Sequence, residues 1–191
     1  MRPVNKQKKD KGFTLVEMLV AIAIFGLLAG AFTGFMLSAL QAQRRILVTQ
    51  ELLNNASYVL EYMSRSIRMA KKDINSQCIT ASQNYSSDGS SLKFLNYQQD
   101  ECQEFFLDKE NGILKEKKTK LSDHSESTND LTPANLQVTN FEVKVTGDAT
   151  GQQPKVTLKL TIEGRGEKPE LRPQITLQTS VSQRDLNYVS E

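Results

Sequence analysis

The chain has 191 residues and a formal net charge of +2, with one histidine and two cysteines. That length suits one modest domain plus a membrane helix, and so few histidines and cysteines exclude a zinc site of ordinary ligand spacing. The charge is uneven: Arg2, Lys6, Lys8, Lys9 and Lys11 face only Asp10 in the leader, and the rest carries 19 Lys+Arg against 21 Asp+Glu, so the whole-chain charge carries no argument for nucleic-acid binding.

The first predicted element follows Lys11-Gly12-Phe13-Thr14-Leu15-Val16-Glu17. From Phe13 to Leu40 run 28 residues with only four polar ones, Thr14, Glu17, Thr33 and Ser38. As a helix this run spans roughly 42 Å, enough to cross a hydrocarbon core of about 30 Å. Glu17 is the informative exception, because a carboxylate in a membrane segment is costly and marks a functional residue in need of a partner. The basic flank places the N-terminus in the cytoplasm and the C-terminal part outside, opposed only weakly by Arg44 and Arg45. An ordinary secretory signal would be cut after the apolar run at an Ala-x-Ala-like place, and none occurs there. A plain single-pass anchor would leave Glu17 and the Gly12-Phe13 junction unexplained.

Gly12-Phe13-Thr14-Leu15-Val16-Glu17, behind a basic leader and ahead of an apolar helix, resembles the signal of type IV prepilins and type II secretion pseudopilins. The resemblance covers about 30 residues. It implies cleavage between Gly12 and Phe13 by a prepilin peptidase, N-methylation of Phe13, and Glu17 as the carboxylate that registers one subunit on the next. The partners it implies are other pilin or pseudopilin subunits, the prepilin peptidase/methylase, an inner-membrane assembly platform, and membrane lipid before assembly.

Gly26, Gly30 and Gly34 recur every four residues on one helix face. They are read as a small-residue packing stripe, or as a stretch that loses helix when subunits pack in a filament. No proline occurs between Pro3 and Pro133. Past Leu40 the helix turns amphipathic: Leu52, Leu53, Ala56, Val59, Leu60, Met63, Ile67 and Ala70 follow a three-and-four spacing. One helix is expected from Phe13 to about Lys72, with this stripe as core.

From Asp73 the pattern changes to strands. Segments 91–97, 104–107 and 113–116 read as strands, the last two joined through Lys109-Glu110-Asn111-Gly112, where Asn-Gly is a strong hairpin signal. Alternation then predicts strands at 136–146, 155–163 and 174–183, an antiparallel meander with one apolar face to cover the helix stripe. Segments 122–135, 147–154 and 164–173 read as polar joining loops. Cys78 and Cys102 lie beyond the membrane segment. They read as one disulfide, whose loop of about 25 residues would contribute roughly 3.5 kcal/mol, or else as two free buried thiols. Both precede the main sheet, whereas the common pilin pattern puts the disulfide around the C-terminal loop. Thr179-Ser180-Val181-Ser182-Gln183-Arg184 resembles the last strand of minor pilins and larger minor pseudopilins.

No catalytic constellation emerges. His124 sits in Ser122-Asp123-His124-Ser125, and a triad needs side chains brought from separate elements. No glycine-rich phosphate loop is present. Asp88, Asp100, Glu101 and Asp123 lack calcium-loop spacing, so neither a metal nor a cofactor is expected. Lys115, Lys117, Lys118 and Lys120, near Phe105, Phe106 and Tyr97, read as a solvated edge strand guarded by lysines, or as a DNA-contacting patch.

The expected fold is α+β: a cleaved leader at 1–12, a transmembrane half-helix at 13–40, an amphipathic half at 41–74, and an extracytoplasmic β-rich domain at 75–191. With the resemblance, this describes a structural subunit, a minor pilin or minor pseudopilin, not an enzyme. The alternative is a tip subunit that binds DNA or a surface. The implied location is the inner membrane, then a pilus or pseudopilus.

Overall fold

The computed structural model describes residues 12–80, 83–147, 152–166 and 172–184. The basic leader up to Lys11 lies outside them. The chain divides into two compact units at Gln43/Arg44. One helix, α1, runs Leu15–Arg68. Within the first unit it is long and apolar enough to cross a membrane, and its large side chains, Leu19, Phe25, Phe32 and Phe35 among them, are exposed.

In the second unit, Leu52, Ala56, Val59, Leu60, Met63 and Ile67 form the buried stripe of α1. Their spacing keeps them on one face over four turns, and burying each large one contributes about 1.5–3 kcal/mol. Leu53, expected in the stripe, is 41% exposed instead. It sits about 100° around the helix from Leu52, and only one of two neighbours can face the core. The helix stops at Arg68, short of the expected Lys72. Ala70 and Lys71 leave it to form β1, paired with Asn96 and Leu95, while the Tyr97 N–H donates to Met69 O. Ala70 is still buried, but from the sheet.

Among the described residues nine strands follow in two antiparallel sheets. The first sheet has the order β1-β3-β4-β5-β6, with β2 (Ser86–Ser87) beside β3 (Ser91–Asn96). β4 is Glu101–Asp108, β5 Ile113–Lys120 and β6 Glu126–Asp130. The expected joining loop 122–135 therefore contains a strand. β6 is exposed at every residue and pairs with β5 through Lys115↔Asp130 to Thr119↔Glu126. The second sheet is the meander β7 (Leu136–Thr146), β8 (Lys155–Gly164) and β9 (Gln174–Ser182). β7 is tied to turns of the first sheet by backbone bonds, Val138 N–H to Gly112 O and Val143 N–H to Gly89 O.

A single buried cluster joins the helix stripe to Leu92, Phe94, Phe105 and Leu114 of the first sheet and to Phe141, Val156, Leu158, Leu160 and Ile162 of the second. β8 alternates because its inward residues line this core while Thr157 and Lys159 face outward. Rings of Tyr85, Phe94 and Phe105 meet at tilted angles with centroids 5.9–6.0 Å apart, and Tyr62 of α1 meets Phe105 edge-on at 6.4 Å. This is the α+β arrangement of a pilin-like chain: a long N-terminal apolar helix followed by antiparallel sheets.

Candidate functional site

The N-terminal site is built on the start of α1. Thr14 stands just before the first helical residue, and its backbone N–H and hydroxyl both donate to Glu17 Oε2, at 2.9 and 3.1 Å. The Glu17 N–H donates back to Thr14 Oγ1 at 3.3 Å. This is a reciprocal capping box, Thr at the N-cap and Glu three residues on, satisfying amides that a helix start leaves without partners. The sequence Thr14-Leu15-Val16-Glu17 carries that pattern, although Glu17 on its own draws attention only as a misplaced charge. Glu17 Oε1 has no hydrogen bond among the described residues. Gly12 and Phe13 precede the helix and are exposed.

Gly26, Gly30 and Gly34 lie inside α1, and a Cβ at any of them would meet nothing within 4 Å. They make a smooth strip on an exposed apolar face. Cys78 and Cys102 are bonded to each other, with Cα atoms 5.4 Å apart. The bond pins the segment after β1 to β4, where Cys102 stands opposite Leu95 and Thr119.

The lysine run does not form a patch. It lies in β5, which is not an edge but is flanked by β4 and β6. Strand alternation sends Lys115 and Lys117 to one face and Lys118 and Lys120 to the other. Lys115 Nζ lies 2.8 Å from Asp108 Oδ2, Lys117 Nζ 2.9 Å from Glu126 Oε1, and Lys118 Nζ 3.5 Å from Glu116 Oε2. Burial opposes the charge on Lys118, but the Tyr62 hydroxyl and the Glu116 and Glu101 carboxylates outweigh it and raise its pKa. Glu116 is itself buried, held by Tyr62 Oη at 2.8 and 2.9 Å and by Gln103 Nε2. Phe105, expected beside the lysines, is in the core.

His124 occupies the turn between β5 and β6 with φ of 56°. Asp123 Oδ1 accepts from the Ser125 N–H and hydroxyl at 3.0 and 2.7 Å. Among the described residues no three His, Cys, Asp or Glu side chains are grouped to hold a metal ion.

Residues 7–33 match the prokaryotic N-terminal methylation motif. No curated protein and no solved structure matches the chain. The matched stretch begins before the Gly12-Phe13 junction and ends within the apolar part of α1, so it contains Thr14 and Glu17. A motif of this kind points to a structural subunit rather than an enzyme, to assembly with other pilins, and to a membrane-anchored start. By its N-terminal segment, then, the chain carries the prokaryotic N-terminal methylation motif, the signal found in type IV pilins and pseudopilins.

Proposed function

We propose that the chain is a minor pilin or minor pseudopilin: a structural subunit of a type IV pilus-like filament, cut between Gly12 and Phe13 and N-methylated on Phe13. The observation that carries this reading is the coincidence of the motif with a helix that starts at Leu15, capped by Thr14 and Glu17. Before assembly the apolar half of α1 rests in the inner membrane, N-terminus in the cytoplasm and β-rich domain outside. Assembly moves that helix from lipid into a filament core, where Gly26, Gly30 and Gly34 allow close approach of neighbouring helices. The disulfide between Cys78 and Cys102 fits a domain that folds in an oxidising compartment.

Cleavage creates an amine at Phe13. Thr14 occupies Glu17 Oε2, so Oε1 is left to accept that amine, from the same chain or from the next subunit. In low dielectric such a pair offsets part of the desolvation of both charges and fixes axial register. Pairing the amine with a capping carboxylate ties assembly competence to processing.

The experiment compares Glu17→Gln with Glu17→Ala. Glutamine three residues after the N-cap still serves a capping box but has no charge. Both variants are expected to be inserted and cut normally, giving a mature mass that begins at methylated Phe13. Both are expected in sheared filaments at much lower ratio to the membrane pool than wild type. Wild-type incorporation of Glu17→Gln would leave capping, not charge, as the role of Glu17; an uncut Met1 form in cells with active peptidase would remove the processing reading altogether. The DNA-contacting alternative loses its lysine patch, because the lysines of β5 are split between two faces and three of them are paired with carboxylates.

A further inference from the structure

A cleft of about 850 Å³ opens where the end of α1 meets the end of β9. It is lined by Tyr62, Arg68, Asn96, Gln183 and Arg184, and the Arg184 N–H donates to Arg68 O at 2.9 Å across it. An adjoining hollow of about 470 Å³ shares Arg68 and Arg184 and adds Lys71, whose ammonium lies 4.0 Å over the Tyr97 ring. Among the described residues no carboxylate lines either hollow. Arg65, on the same rim, is already paired with Glu61 at 2.5 Å, whereas Arg68 and Arg184 have no ion-pair partner among the described residues.

The polar groups in the cleft wall are unfilled on both sides of the hydrogen bond. Gln183 is 2% exposed and neither Oε1 nor Nε2 has a partner; Asn96, 3% exposed, gives Nδ2 to Gln103 Oε1 at 3.0 Å but leaves Oδ1 unpaired. Buried amides left unpaired cost free energy, and a ligand that offers both donors and acceptors would relieve that cost once a small shift of the wall uncovers them. Phosphate oxygens accept only, and would leave the two carbonyl oxygens unpaired. A nucleic-acid strand would also need cations spaced along a track, but here they gather at one end. Among the described residues β9 pairs only with β8, and its other edge presents backbone groups leading to Gln183 and Arg184.

We propose that this cleft binds an extended acidic peptide segment of a second subunit, laid along the free edge of β9 with a carboxylate held between Arg68 and Arg184. Main-chain bonds to β9 would supply affinity and the two guanidinium groups the preference for acid. The peptide chemistry stands by itself; only the source, a neighbouring subunit, rests on the filament reading above.

The test pans a random eight-residue peptide display library against the full chain in nanodiscs. The expected result is enrichment of sequences with Asp or Glu beside β-branched residues, with hydrogen exchange of β9 amides slowed when such a peptide binds. Arg68→Ala with Arg184→Ala is expected to weaken the selected peptide at least tenfold. Gln183→Leu, which removes an unpaired buried amide and should leave the fold intact, is expected to weaken it several-fold. Selection without acidic preference, or binding unmoved by these variants, overturns the proposal. So does tighter binding of a single-stranded oligothymidylate than of the selected peptide, which would make nucleic acid the occupant. For the source, a photo-crosslinker at Ser182 in filament fractions is expected to join a second subunit. A product within the chain to residues 185–191 would overturn that assignment and leave the peptide chemistry standing, and a failed Phe13 cleavage would leave both binding results unaffected.

Discussion

Asp73 is 1% exposed and forms no ion pair among the described residues, yet its carboxylate is satisfied. Oδ1 accepts from the Gln77 N–H at 3.0 Å, and Oδ2 from Cys78 and Ile79 at 2.6 and 2.9 Å. One side chain thus shapes the loop that presents Cys78 to Cys102. Burial pushes its pKa up, but the amides of Ile79, Cys78, Gln77 and Ser76 outweigh burial and leave it below the ordinary carboxylate value. A carboxyl lowered on folding contributes stability that is complete above its unfolded pKa, about 3.9, and is lost as pH falls through the folded value. The melting temperature is therefore expected to fall below about pH 4. Asp73→Asn should lower stability at neutral pH by about 1–3 kcal/mol, since an amide can present only one acceptor to these N–H groups. The same variant should show a shallower acid fall than wild type. A pH profile of melting temperatures for both proteins checks the pair of effects; parallel acid limbs would show that Asp73 is not the group responsible.

At the scale of elements, the hairpin β4–β5 shows how far local sequence reaches. Asn111-Gly112 announces a turn, and the strands do meet there, at Asp108↔Ile113. The loop is four residues long, with Gly112 alone in the left-handed region at φ of 62° and its N–H bonded to Asp108 O. A Cβ on Gly112 would lie 2.7 Å from Gln137 Cγ, so the glycine also permits β7 to dock by the Val138 N–H bond to Gly112 O. Gly112→Ala is expected to cost about 1–2 kcal/mol in backbone conformation alone, plus a steric part. Adding Gln137→Ala should recover the steric part and not the rest, which denaturant titration of the single and double variants measures as a coupling. Where side chains alternate strongly, as in β7, β8 and β9, the elements are legible. β6 is not, because Glu126-Ser127-Thr128-Asn129-Asp130 contains no apolar residue and forms through backbone pairing with the edge of β5. The two-residue strands β1 and β2 are too short to alternate at all. Of the N-terminal site, Glu17 stands out in sequence because a charge is wrong for an ordinary membrane helix, while Gly12 and Phe13 are legible only through the resemblance to the prepilin signal. The cleft does not, since Arg68, Asn96 and Gln183 come from three distant segments that only the fold brings together.

Over the whole molecule, apolar residues meet two different fates. From Phe13 to Leu40 the large ones are exposed, an expanse that a water-soluble monomer rarely tolerates and that lipid or neighbouring helices would cover. From Leu52 onward the stripe of α1 is buried with both sheets in one cluster, to which no residue before Val48 contributes. The first unit therefore supplies no part of this core. A fragment beginning at Arg44 keeps all of the helix stripe, the disulfide, and every strand, and loses only helix that buries nothing in the described chain. Its first turn or two will fray, because residues ahead of Leu52 have little packing to hold them and a new helix end lacks partners for four amides. Fraying stops where burial begins. The 44–191 fragment is expected to be soluble without detergent and to unfold cooperatively, with a midpoint within a few degrees of that of the β-rich domain in the full chain in nanodiscs. Circular dichroism melts of both, with near-ultraviolet signals from the packed Tyr62, Tyr85, Phe94 and Phe105, make the comparison. A fragment that keeps far-ultraviolet signal but melts without a transition would mean that the membrane half of α1 is needed to fix the register of the stripe against the sheets, and that the two units fold as one.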